Sequence, residues 1–170
     1  MPLRHDLLPL AGFVALMAIA AFEDFRRLVI PNGVVVGLCV LWPFHLATAP
    51  GGTLVAGMTA IGCGFAIFFA GALLFSRGLI GGGDVKLLAV AALWAGPSAI
   101  MPLLALTGLL GGLLGLFALS PFCPDFAGLR QQTANGSGKV AADGGGPAVV
   151  PYGVAIAAAA LLVTVPPRFS

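Results

Sequence analysis

Residues 53–75 read TLVAGMTAIGCGFAIFFAGALLF and contain no charged side chain. As an α-helix this stretch is about 35 Å long, enough to cross the ~30 Å hydrocarbon core of a bilayer. A surface helix of a water-soluble protein keeps a polar face, and this one has none. The stretch at 99–119 has the same character and a similar reach. Shorter apolar runs lie at 7–22, 34–46, 85–96 and 149–165. Such runs span when flanking groups snorkel or the bilayer thins. The run at 85–96 ends at Gly96-Pro97, so it also reads as a re-entrant half-helix broken from the segment that follows.

Composition points the same way. Of 170 residues, 59% are hydrophobic and 8% are charged, with a mean hydropathy of +1.08. A soluble domain carries about 25% charged residues. The expectation is an all-α integral membrane protein: a polytopic bundle of about six transmembrane helices, forming a single domain over 1–170. A net charge of +2 is too small to suggest a nucleic-acid partner. Cys39, Cys63 and Cys123 form no C-x-x-C pair and lie far apart, and Cys39 and Cys63, inside apolar runs, read as small hydrophobes and not as a disulfide or a metal site. The first run follows Arg4, and Ala18-Ile19-Ala20 looks like a signal-peptide cleavage site. Because further apolar runs follow, an uncleaved first span is expected.

Span length fixes a parity. As one helix, Asn32 to Ser76 would reach about 65 Å, twice the hydrocarbon thickness. The turn-like Ala47-Thr48-Ala49-Pro50-Gly51-Gly52 divides it into two spans, so the loops at 23–33 and 76–84 share one face. With six spans, Arg26, Arg27, Arg77, Lys86, Arg130 and Lys139 fall on that side, and Arg4 and Arg168 on the other. The positive-inside bias makes that face cytoplasmic. The segment 120–148, rich in proline, glycine and polar residues, is expected to be a mobile cytoplasmic loop. Glycines within the spans, including Gly57, Gly62, Gly64, Gly108, Gly111, Gly112 and Gly115, allow close helix approach.

The chain has six acidic residues. Asp6 is near the N-terminus, and Asp125 and Asp143 sit in the expected loop. Glu23, Asp24 and Asp84 remain, at the ends of apolar segments on the shared face, where ionisable groups are functional candidates. Two carboxylates a few ångströms apart share a proton, because like charges resist joint ionisation. One then takes a proton from water while the other donates to the developing oxyanion or leaving amine, which hydrolyses a peptide without metal, serine or cysteine. No H-E-x-x-H or G-x-S-x-G is present, and His5 and His45 lie near no nucleophile. Gly81-Gly82-Gly83-Asp84 leaves room for a substrate backbone beside the carboxylate, with Lys86 two residues on. Structural roles stay open at this point: Asp84 as a helix N-cap and Asp24 as an interfacial charge beside Arg26 and Arg27.

Together the motifs resemble the prepilin peptidase family, membrane aspartic proteases of the G-x-G-D type. The first match is Asp24-Phe25-Arg26-Arg27-Leu28-Val29-Ile30-Pro31-Asn32, the second Gly81-Gly82-Gly83-Asp84-Val85-Lys86-Leu87, and a weaker third Pro151-Tyr152-Gly153. The resemblance implies that Asp24 and Asp84 are the catalytic pair, with Gly81, Gly83, Lys86, Pro31 and Asn32 supporting them. It selects Asp24 over Glu23 by register with Pro31-Asn32, leaving Glu23 to help bind a basic leader. It implies no cofactor or metal. The implied partners are prepilin or pseudopilin precursors and the lipid bilayer, in a bacterial inner membrane with the site facing the cytoplasm. Larger family members carry an insertion with cysteine pairs and also methylate the new N-terminus. Without such pairs, this chain resembles the short, peptidase-only branch linked to tight-adherence (Flp-type) pili, and no methyltransferase activity is expected. Archaeal preflagellin peptidases are similar too. Presenilin-type proteases share G-x-G-D but place the first aspartate inside a span. The other classes of role are a non-catalytic component of a pilus or secretion assembly, and a transporter. A transporter lacks support, because no ionisable ladder runs through the membrane.

Overall fold

The computed structural model describes residues 7–48, 53–119 and 151–165. They form five α-helices: α1 (Leu7–Arg27), α2 (Asn32–Thr48), α3 (Leu54–Ser76), α4 (Gly82–Leu119) and α5 (Tyr152–Thr164). The loop expected at 120–148 lies outside the described residues, as do Arg4, Asp6, Cys123, Asp125, Arg130, Lys139, Asp143 and Arg168.

Among the described residues, α1, α3 and 82–117 of α4 are long and apolar enough to cross a membrane, while α2 and α5 are apolar but shorter. The outer surface is apolar too: Met58 is 67% exposed, Phe65 59% and Phe69 67%. In water such a surface would aggregate, whereas against lipid it costs nothing. The chain is an all-α membrane bundle.

Polar termini are closed locally, as lipid requires. Thr53 caps α3, its hydroxyl accepting the Ala56 N–H at 3.1 Å. At the other end of α3, Gly78 takes φ 72°. Its N–H reaches the Phe75 carbonyl at 2.9 Å, and the Leu79 N–H reaches Leu74 at 3.1 Å. These two bonds make a Schellman turn, which sends the chain directly into α4. The end of α1 uses the simpler left-handed cap. Leu28, at φ 53°, donates its N–H to the Asp24 carbonyl at 2.9 Å.

Helix α4 is interrupted at Gly96, where φ is 67° and ψ −179°. A straight helix would separate residues 84 and 111 by about 40 Å. Instead the Tyr152 ring packs on Gly111, while the next residue, Gly153, lies against Ile30, which also lies against Gly83 beside Asp84. The two halves of α4 therefore fold back alongside each other, with the turn at the Gly96-Pro97 break the sequence marks.

The core forms where α1, α2 and α4 meet. Trp94 stacks on Phe13 with ring centroids 4.5 Å apart and on His45 at 4.8 Å. The Trp94 indole donates to the Leu38 carbonyl, and the Trp42 indole donates to the Leu93 carbonyl, each at 3.1 Å. Leu93 needs that bond. Its normal helical partner, four residues on, is Pro97, which has no N–H. Helix α5 packs against α1 and α4. Its buried residues are nearly all small, namely Gly153, Ala155, Ala157, Ala159 and Ala160 with Ile156, so the backbones come close.

Candidate active site

The C-terminus of α1, the N-terminus of α2, the α3–α4 turn and the N-terminus of α5 meet at one end of the bundle. Asp24, on the last turn of α1, is 4% exposed. Its carboxylate accepts the backbone N–H of Gly153 and of Val154, the latter at 3.3 Å. Pro151 stands at the N-cap of α5 and offers no side-chain bond. Two N–H groups in the first turn of α5 thus reach a carboxylate from another helix, the Val154 N–H being shared with the Pro151 carbonyl at 3.3 Å. This approach requires the glycine, because a Cβ on Gly153 would lie 2.8 Å from Asp24 Oδ2.

Asp84 is held differently. Helix α4 begins at Gly82, and the Val85 N–H bonds the Gly81 carbonyl at 3.2 Å, so Gly81 is the cap residue and Asp84 lies inside the first turn. Its carboxylate turns back to the Gly81 N–H, one half of a capping box. The room at the Cβ positions of the three glycines before it is taken up within the chain. A Cβ on Gly81 would meet Asp84 Oδ2 at 2.9 Å, on Gly82 the Phe75 ring at 3.3 Å, and on Gly83 the Ile30 side chain at 3.3 Å. The chain's own side chains fill that room.

Ile30 links the two halves of the site. It lies against Gly83 on one side, and its Cδ1 is 3.0 Å from where a Cβ on Gly153 would sit on the other. Ile30 thus packs between Gly83, next to Asp84 in the chain, and Gly153, on which the Asp24 carboxylate rests. Lys86 Nζ donates to Asn32 Oδ1 at 3.1 Å, tying the first turn of α4 to the first turn of α2. Pro31 immediately precedes α2, its carbonyl accepting the Val34 N–H at 3.1 Å. Asp24, Pro31, Asn32, Gly81, Gly83, Asp84 and Lys86 therefore gather at one end, as the parity of the spans requires.

Other candidates lie apart from the carboxylates. Arg27 pairs with Glu23 at 3.4 Å on the same helix, and Arg26 sits 5.0 Å above the Phe22 ring. His45 stacks on Trp94, about three helical turns along α4 from Asp84. Cys39 and Cys63 are free thiols. Sequence reasoning missed Ile30 and the N–H groups of Gly153 and Val154 as neighbours of the aspartates. The available signal was Pro151-Tyr152-Gly153, a proline and a glycine flanking a helix start.

Residues 11–116 match the type IV leader peptidase family. The prepilin leader peptidase/N-methyltransferase of Bacillus subtilis (strain 168) is 31% identical over 117 residues. That alignment covers 67% of this chain and 46% of the relative, so the chain spans about half the length of that protein. No solved structure matches. The stretch that matches the family contains both aspartates, Pro31-Asn32 and Gly81 to Lys86, and the chain belongs to the type IV leader peptidase family.

Proposed function

We propose that the chain is a membrane aspartic endopeptidase that removes the short leader from prepilins, with Asp24 and Asp84 as the catalytic pair. The observation that carries this is the meeting of a buried Asp24 with Asp84 at one end of the bundle, each oriented by backbone N–H groups. Two carboxylates brought within a few ångströms share one proton. The ionised partner takes a proton from water as the water oxygen attacks the scissile carbonyl carbon. The protonated partner donates to the carbonyl oxygen. Collapse of the tetrahedral intermediate breaks the C–N bond, and the departing amine takes up a proton. In a coupled pair of carboxylates the two protons belong to the pair, so neither aspartate is assigned the base.

Three finer features belong to the same proposal. The distribution of Arg and Lys supports a cytoplasmic site in a multi-pass inner membrane protein. The absence of a C-x-x-C pair supports peptidase activity without N-methylation. The resemblance to the short branch supports a Flp-type substrate over other type IV-like prepilins.

One observation favours a non-catalytic part in a pilus or secretion assembly: both carboxylates accept helix-terminal N–H groups, which is a structural task in itself. Asparagine separates the two roles, since it keeps an acceptor oxygen and caps well but cannot exchange a proton. The test is leader cleavage in membranes co-expressing Flp-type or type IV prepilin with the intact protein, Asp24→Asn or Asp84→Asn at equal accumulation. We expect each variant to lose at least 10²- to 10⁴-fold in rate, the scale of general acid–base catalysis. Cleavage by either variant at the intact rate would overturn the assignment. Mass measurement of the product with methyl donor supplied tests methylation, and a methylated N-terminus would refute the peptidase-only reading.

A further inference from the structure

The position of the Asp24 carboxylate depends on where α5 begins, because the Gly153 and Val154 N–H groups that hold it belong to the first turn of that helix. Something must therefore fix the start of α5. Pro151 and Gly153 are buried there, and between them Tyr152 extends to α4. Its ring rests on Gly111: a Cβ at position 111 would lie 2.6 Å from Tyr152 Cζ and 2.9 Å from its hydroxyl oxygen. No side chain fits at 111 with the ring in place.

General helix packing does not account for this glycine. Gly108, Gly112 and Gly115 lie on the same stretch of α4, and among the described residues a Cβ on any of them meets nothing within 4 Å. Gly111 differs from them by the aromatic ring seated on it. Tyr152 is also the chain's sole tyrosine, and the residue that follows it, Gly153, lies against Asp24.

We infer that Gly111 and Tyr152 are positioning residues: the Tyr152 ring, seated on Gly111, holds the N-terminus of α5 where Gly153 and Val154 reach Asp24. This rests on the peptidase reading of Asp24. The seat acts through the ring and not through the hydroxyl, so phenylalanine at 152 should serve. Displacing the ring should shift the carboxylate relative to Asp84, and misplacements near 1 Å cost on the order of 10²-fold.

The experiment is the membrane cleavage assay, read as kcat and KM, on Tyr152→Phe, Tyr152→Ala, Gly111→Val and the paired Gly111→Leu/Tyr152→Ala. The intact protein and Asp24→Asn run beside them. We expect Tyr152→Ala and Gly111→Val to lower kcat by about 10- to 100-fold with KM within about twofold, since the loss falls on the chemical step. Tyr152→Phe should retain activity. The pair should recover part of the loss, because leucine from α4 refills the space the ring leaves. Intact-like kcat in Tyr152→Ala overturns the inference, and so does an equal loss in Tyr152→Phe, which would place the effect in the hydroxyl. If Gly111→Val fails to accumulate, the contrast between alanine and phenylalanine at 152 still decides. Cleavage that survives Asp24→Asn overturns the peptidase reading and this inference together, whereas intact-like 152 variants beside an inactive Asp24→Asn remove this inference alone.

Discussion

The Asp24 carboxylate occupies the space in which a side chain at Gly153 would begin, with Cγ 2.9 Å and Oδ2 2.8 Å from that Cβ position. The glycine permits both the approach and the N–H bond that accompanies it. Adding one methyl group forces either the carboxylate or the start of α5 to move. We expect Gly153→Ala to lower cleavage by about 10²-fold while the protein accumulates normally, the scale of a small misplacement of a reacting group. Gly108→Ala, which meets nothing within 4 Å among the described residues, is the matched control and should cleave at the intact rate. Equal rates for the two variants would show that the carboxylate has room elsewhere.

Lys86 and Asn32 join the helix that carries Asp84 to the helix behind Pro31 through one exposed hydrogen bond of 3.1 Å. An exposed bond to a charged donor contributes about 1 kcal/mol, enough to bias a helix end and not enough to hold a fold. Lys86→Ala and Asn32→Ala should each slow cleavage by about three- to tenfold. The double variant should be no slower than the worse single, since both remove the same bond. Losses that multiply would mean that the two side chains act independently, for instance with Lys86 contacting substrate directly.

The placement of these four residues was legible because it follows from quantities a sequence carries openly. Asp24, Asp84, Pro31 and Asn32 stand at ends of apolar runs, and the length between them admits two crossings and not one. The break in α4 was legible as well, since Gly96-Pro97 interrupts a helix by its own chemistry. Other features had no local signature. Asp24 and Val154 are 130 positions apart, and nothing in the periodicity of α1 or α5 says that a carboxylate will cap a distant helix. The glycines before Asp84 announced a close approach but not its partner, which proved to be Asp84 itself, Phe75 and Ile30. The same holds for Gly111. Its place among the glycines of the spans suggested close helix approach, and the ring of Tyr152 is what the missing side chain admits.

The reciprocal tryptophans should matter for stability well away from the chemistry. Trp42 satisfies a carbonyl that Pro97 leaves without a helical partner, in surroundings where no water replaces the bond. Trp42→Phe keeps most of the ring but orphans the Leu93 oxygen, at a cost of about 1–3 kcal/mol. Trp94→Phe should cost less, because the Leu38 carbonyl keeps its helical partner in the Trp42 N–H. Thermal unfolding in detergent measures the difference. A Trp94→Phe variant less stable than Trp42→Phe would place the larger contribution in stacking against Phe13 and His45.

Gly96 and Gly62 should respond to the same substitution with opposite signs. Neither has any neighbour within 4 Å of its Cβ position among the described residues, so crowding plays no part in the comparison. Gly62 lies within the regular helix α3, where alanine removes backbone freedom from the unfolded chain and stabilises by up to about 1 kcal/mol. Gly96 adopts φ 67° with ψ −179°, a region open essentially to glycine alone, so alanine there costs about 1–3 kcal/mol in backbone strain. The functional consequence should differ as well. The reversal at Gly96 returns the second half of α4 to the level of Asp84 and places Gly111 beneath Tyr152. Gly96→Ala should therefore unfold at lower temperature and cleave more slowly, while Gly62→Ala unfolds at the same or higher temperature and cleaves normally. If Gly96→Ala lost stability but kept the intact kcat, the fold-back would be needed for holding the bundle together and not for setting the geometry around Asp24.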